Sequence, residues 1–397
     1  MAFALGVTLF ALGIAVSIAL HEAGHLVTAK WFGMKVRRYF IGFGPKIFSF
    51  RRGETEYGLK AIPAGGFCDI AGMTALDPVT SDEVPRAFFR KPTWQRVVVL
   101  SAGSITHFMI GVLLLYVLAV GWGLPSPATA IGAVTCAADQ ISAQEFEQCG
   151  PGVPSPAAAA GLRPGDEIVE VAGIATPRWS DVVTAIRDKR GPTPVLVERD
   201  GAEVALTVDV AAASRLTATG ETIEVGAIGV ILDPPHPIEY GPLAAIPATF
   251  DFTGTMFERV WDGILAFPQK IPLLVDAIAG APRDQDTPVS VVGASIIGGD
   301  AVERGLWEFF IFLLAALNFF VGVFNLLPLL PLDGGHIMVN LYERVRDWTR
   351  ARLGKVPMPP VDYTRLLPIT FVLILVGGAV SLLTLTADIV NPIRPFQ

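Results

Sequence analysis

His21-Glu22-Ala23-Gly24-His25 closes a run, Met1 to Leu20, that carries no charged side chain and reads as a membrane-spanning helix. Residues four apart on a helix share a face, with Cβ atoms about 5–6 Å apart. His21 and His25 can therefore direct two imidazoles at one ion, and zinc is the ion that suits this spacing. Glu22, one position round the helix, is placed to take a proton from a water at that metal. Only five histidines occur in 397 residues. Two of them around a glutamate at membrane depth, where ionisable groups are expensive, mark a functional site rather than core packing.

The rest of the chain supports a membrane setting. It is 52% apolar and 17% charged, with a mean hydropathy of +0.52. A bilayer needs about 20 apolar residues per helix, and four stretches qualify: Phe3–Lys30, Val97–Leu118, Trp307–Leu327 and Leu366–Leu385. The first is not a cleaved signal peptide, because it lacks a basic leading region and ends in the histidine pair, not in small residues. The expected division is 1–31 as a first span with the histidine motif, 35–96 as a cytoplasmic hairpin and loop, and 97–121 as a second span. An extracytoplasmic globular domain at 127–212 and an extracytoplasmic amphipathic helical region at 213–305 follow. A third span at 306–335, a cytoplasmic loop at 336–365 and a fourth span at 366–387 complete it.

Charge sets the expected orientation. Lys30 to Arg96 holds 12 Lys/Arg against 6 Asp/Glu, Gly123 to Gly305 holds 11 against 24, and His336 to Arg365 holds 6 against 3. Basic segments stay in the cytoplasm, so the long acidic segment and both termini belong outside. Nucleic acid is excluded as a partner: the basic residues are explained by orientation, and no recognition motif is present. Three cysteines are too few for a disulfide framework. Cys68 falls on the cytoplasmic side as a free thiol, while Cys136 and Cys149 fall outside, where a disulfide can form.

Between the first two spans, Lys46 to Arg51 alternates, Arg52-Gly53-Glu54 turns and Thr55 to Ile62 returns, which predicts a β-hairpin. Beside the metal helix, an exposed strand edge can pair with an unwound peptide; an ordinary solvated hairpin is the alternative. In the second span, His107 is either a polar contact to the site or a packed histidine. In the acidic segment, Gly161-Leu-Arg-Pro-Gly-Asp166, Glu167–Val171, a helix over Trp179–Asp188 and strands over Pro194–Glu198 and Glu203–Val210 resemble a PDZ domain of bacterial envelope proteases. Such a domain ordinarily accepts an extended peptide, though a spacer that binds nothing fits too. Pro242 to Ala281 has apolar residues at helical spacing, which suits helices on the outer membrane surface or packed on the PDZ-like domain.

Zinc needs a third protein ligand. Asn325-Leu-Leu-Pro-Leu-Leu-Pro-Leu-Asp-Gly-Gly-His336 follows the third span and offers Asp333 at the depth of His21 and His25. His336 competes for that role but, three residues further on, is expected to face water or headgroups. The histidine motif in the first span, Leu332-Asp333-Gly334 after a later one and a PDZ-like insert between them resemble the site-2 protease family. Within it, Arg52–Gly58 and Pro63–Met73 make the chain similar to the bacterial regulator of sigma-E protease group, especially its one-PDZ actinobacterial members. One departure is local: the second proline of the family's Asn-x-x-Pro-x-Pro-x-Leu-Asp-Gly loop stands one place later here, at Pro331.

The resemblance implies a polytopic α-helical membrane protein with about four transmembrane helices, a cytoplasmic membrane-associated β-hairpin and an extracytoplasmic α+β PDZ-like domain. It further implies a Zn2+-dependent intramembrane endopeptidase in the bacterial cytoplasmic membrane, with Glu22 as base, His21, His25 and Asp333 as ligands, and Asn325 donating to the substrate backbone. Its partners are single-span membrane proteins, such as anti-sigma factors or signal-peptide remnants, and the bilayer. Two rival classes are a PDZ-bearing receptor or scaffold with a structural metal, which needs no Glu22, and a metal transporter, which would spread ionisable groups along a path.

Overall fold

The structure, a computed structural model, describes all residues except 75–76, 126–128, 142–145, 151–152, 178, 217–221, 233–236, 284–286 and 397, and the side chains at 64 and 180. The chain divides into two compact units, Met1–Trp122 with Tyr240–Gln397, and Gly123–Glu239.

In the first unit, helix α1 (Ala2–Trp31) is followed by strands β1 (Val36–Arg52) and β2 (Thr55–Ile70) and helix α2 (Thr93–Gly121). α1 is held by close approach at small residues, as membrane helices commonly are. A Cβ on Gly24 would stand 2.7 Å from both the Ala102 carbonyl oxygen and the Thr106 hydroxyl of α2. The predicted hairpin is present, with Arg52 opposite Thr55 across the turn, but it is part of a larger sheet. Arg38 to Ile41 lies beside Glu56–Leu59 on one side and Gly66–Asp69 on the other. The order across the sheet is thus 46–52, 55–60, 36–41, 66–70.

Ion pairs lock this sheet to the following loop. Arg86 grips Glu54 through both guanidinium nitrogens at 2.7 and 2.6 Å, and Lys35 adds a contact at 3.1 Å. Arg37 grips Glu83 in the same way at 2.8 and 2.6 Å. These partners hold both carboxyls down at about 2. Tyr39 ties the sheet to α1 by donating to the Ala19 carbonyl at 2.6 Å.

The second unit holds strands β3 (Leu124–Pro125) and β4 (Ile131–Val134), helix α3 (Pro156–Ala160), strands β5 (Glu167–Val171) and β6 (Ile174–Ala175), and helix α4 (Trp179–Arg187). Strands β7 (Gly191–Arg199), β8 (Ala202–Leu216), β9 (Thr222–Ala227), β10 (Val230–Leu232) and β11 (Pro237–Ile238) complete it. Antiparallel strands run in the order β6-β5-β7-β8-β9, while β10 pairs with β4 and β11 with β3. Ile131, Ile168, Val182, Val197, Val208 and Ile228 form the core. The expected domain limit of 212 is too short. Residues 222–232, assigned on sequence to the helical region, instead form β9 and β10, because Val225 and Ile228 bury beside residues of the sheet. Cys136 and Cys149 are joined in a disulfide.

The first unit resumes with α5 (Ala245–Ile278), α6 (Val291–Glu303), α7 (Trp307–Asn325), α8 (Asp333–Arg352) and α9 (Leu367–Val390). Four helices, α1, α2, α7 and α9, are long and apolar enough to cross a membrane. Three expectations need correction. The first concerns α5, which is one 34-residue helix. It inserts Phe257 between Phe108 and Phe319, at 5.0 and 5.3 Å, midway along α2 and α7 and not on an outer surface. The second concerns α6, which lies in the expected extracytoplasmic region but buries Gly298 and Gly299 against Phe10, Val7 and Phe3 of α1. The third concerns 336–365, where α8 occupies most of the expected loop. Asp333 opens that helix and does not end the third span, because α7 stops at Asn325.

Candidate active site

Two elements bring the ligand candidates together. α1 presents His21 and His25, both buried, and the first turn of α8 presents Asp333. An acidic side chain is favoured there by the helix dipole. The glycines after Asp333 are needed for packing: a Cβ on Gly335 would stand 2.6 Å from the Leu329 carbonyl carbon, and one on Gly334 would overlap the Leu326 carbonyl.

His25 Nδ1 lies 2.7 Å from the Val99 carbonyl oxygen. A carbonyl only accepts, so Nδ1 carries the proton and Nε2 turns its lone pair inward. That Nε2 is 3.2 Å from His21 Nε2. Each of the two nitrogens is 3.4 Å from Asp333 Oδ2. Bonds of about 2.0–2.2 Å at tetrahedral angles place ligand atoms roughly 3.3–3.6 Å apart. All three edges are close to that spacing. Among the described residues, this is the one group of His, Cys, Asp or Glu side chains able to hold a metal ion. The donor set, two imidazoles and a carboxylate, fits zinc with one position left open.

Glu22 faces the sheet. A Cβ on Gly66 would come within 2.9 Å of Glu22 Cγ, and the Cys68 backbone N–H lies against the Glu22 carboxylate. The strand edge beside the base is therefore Gly66–Ile70, not the Lys46–Ile62 hairpin that the sequence suggested. The 46–52 strand is the opposite edge of the sheet. Burial pushes the neighbouring Cys68 thiol above its ordinary range, so it stays protonated.

His107 belongs to this site, although the sequence left it open. It is 2% exposed, and its ring centroid is 5.0 Å from that of His21. Its Nδ1 is 2.9 Å from Asn318 Oδ1 of α7. The His21 ring also lies against Gly103, where a Cβ would stand 2.6 Å from both ring nitrogens. The usable sequence signal was the run Ser101-Ala-Gly-Ser104, small residues facing a helix that carries histidines. Asn325 is half-buried at the end of α7, and its side chain has no hydrogen bond among the described residues. His336 stands outside the cluster, half-buried and stacked on Tyr363 with Nδ1 3.3 Å from the hydroxyl.

A histidine pair on a helix of membrane-spanning length, a carboxylate from a second helix and an adjacent glutamate are the groups a membrane metalloprotease needs. The chain belongs to Peptidase family M50, the site-2 proteases, whose profile matches residues 9–356. It is similar to zinc metalloprotease Rip1 of Mycobacterium tuberculosis, at 49% identity over 407 residues and 100% of both chains. Rip1 of Mycolicibacterium smegmatis is 48% identical over 409 residues, again 100% of both. Metalloprotease MmpA of Caulobacter vibrioides is 30% identical over 360 residues, 85% of each. The protein is a zinc metalloendopeptidase of multi-pass membrane type, and its cofactor is Zn2+.

Proposed function

We infer that this enzyme cleaves transmembrane segments of single-span membrane proteins, such as anti-sigma factors or signal-peptide remnants, in regulated intramembrane proteolysis. One observation carries the reading: the Asp333 donor atom of α8 converges with those of His21 and His25 on α1, a helix long and apolar enough to span a bilayer. His21, His25 and Asp333 would hold zinc, which when bound supplies Lewis acidity to the scissile carbonyl and acidifies water at the site. Glu22 accepts the proton of the attacking water and passes it to the leaving amine.

A substrate helix must give up internal hydrogen bonds before its backbone reaches Glu22, and each unpaired group at that depth costs several kcal/mol. The Gly66–Ile70 edge accepts such a backbone as an added strand without demanding a side-chain sequence. Asn325, without a partner of its own, donates to the same backbone. The excess of Lys/Arg in 30–96 and 336–365 supports a cytoplasmic position for the sheet and α8 in the bacterial cell membrane. The Gly123–Glu239 unit is then an extracytoplasmic PDZ-like domain that restrains substrates with intact outer domains.

The test compares membrane proteomes of cells carrying Glu22 or Glu22→Gln. The variant should keep its zinc and accumulate single-span fragments. A zinc-loaded variant with an unchanged proteome would refute the substrate class, and one that still cleaves peptide would refute the role of Glu22.

A further inference from the structure

His25 and His21 differ in how their outward nitrogens are held. The His25 Nδ1–H donates to the Val99 carbonyl. His21 Nδ1 is buried and has no hydrogen-bond partner. If His21 Nε2 faces the metal position, its proton must sit on Nδ1, which makes Nδ1 a buried donor in need of an acceptor.

The adjacent ring of His107 can supply one. Asn318 Nδ2 donates to the Leu314 carbonyl at 2.8 Å, which fixes the amide so that Oδ1 faces His107. Oδ1 accepts, so His107 carries its proton on Nδ1 and leaves the Nε2 lone pair free. The two rings are tilted 44° with centroids 5.0 Å apart. An ordered donor–acceptor chain thus runs from the Leu314 carbonyl through Asn318 to His107, whose ring lies beside that of His21.

We propose that His107 is a positioning residue for the metal site, accepting the His21 Nδ1–H in the zinc-loaded enzyme while Asn318 holds it in the tautomer that can do so. Metal-bound histidines commonly donate their second nitrogen to such a partner, and loss of the partner weakens metal affinity about 10–100-fold. Here the acceptor is a second imidazole carried by α2, whose own tautomer is set by α7. The ligand on α1 is thereby oriented from two other membrane helices.

The inference rests on His21 and His25 being zinc ligands, and the experiment keeps the two claims apart. Zinc affinity of the full-length protein in detergent is measured by competition with a chromophoric chelator, and the visible spectrum of the Co2+-substituted protein is recorded. His107→Phe keeps the ring packing and removes the acceptor, so it should bind zinc about 10–100-fold more weakly and shift the cobalt bands. In His107→Gln an amide can accept from His21 and donate to Asn318, which should recover most of the loss. Asn318→Leu should weaken binding in the same direction. Wild-type affinity and spectrum in His107→Phe would overturn the inference, as would equal losses in the Phe and Gln variants. His25→Ala should lose zinc; if it retains a full equivalent, the ligand set itself is wrong.

Discussion

Gly103→Ala tests the contact between α2 and the His21 ring with a single methyl group. The added Cβ would stand 2.6 Å from both ring nitrogens, whereas ordinary contact begins at 3.4 Å. The ring's Cε1 lies closer still, so the ring, wedged between α2 and the other ligand candidates, must retreat by roughly 1 Å, while metal–ligand distances tolerate only about ±0.2 Å. A misplacement of about 1 Å can lower turnover about 100-fold, equivalent to ~2.7 kcal/mol of transition-state stabilisation. Helix propensity alone predicts the opposite sign, since alanine favours a helix over glycine by about 1 kcal/mol. Zinc per chain and kcat/KM on a short transmembrane peptide are the readouts. Gly121→Ala, where the methyl meets nothing within 4 Å, should leave both unchanged. Full zinc and wild-type kcat/KM in Gly103→Ala would refute the claim that this close approach seats His21.

Gly66→Ala should separate the base from the metal. Its methyl presses on Glu22 Cγ, so kcat should fall about tenfold, in the range general-base effects reach, while zinc content stays at one per chain; loss of zinc would contradict that separation. Glu54 and Glu83 titrate near 2 when folded against an ordinary 4.5. Their contribution is therefore complete above about pH 4.5 and is lost as pH falls toward about 2. Amide exchange in β1 and β2 should accelerate across that window, and pH-independent protection would contradict it. For topology, a cysteine at Ser81 should resist an impermeant maleimide applied outside intact cells and one at Thr207 should react, the reverse pattern overturning the charge argument. Proline at alternate positions of Phe67–Ile70 should reduce cleavage while zinc is retained, since it removes strand donors. A uniform loss would indicate misfolding of the sheet instead.

The long apolar helices and the histidine pair were legible because their signals are local. An uncharged run from Met1 to Leu20 is a helix in lipid whatever surrounds it, since only a helix satisfies its own backbone there. His21 and His25 share a face by helix geometry alone. Even Asp333 could be matched to them by counting residues from the ends of two spans. Other features depended on which surfaces meet. Glu22 faces Gly66 because Arg38–Ile41 takes partners on both sides, which turns one hairpin into four adjacent strands. No alternation of residues reports that. β9 and β10 are too short to show a period, and the small residues of α6, placed by the sequence in an outer helical region, are what α1 needs for close approach. His107 was visible as a histidine and no more. Its place depends on Gly103 admitting the His21 ring and on Asn318, 211 residues away, orienting the imidazole. Chemistry that lies within one helical turn is written in the sequence, while chemistry assembled from three helices exists only once they pack.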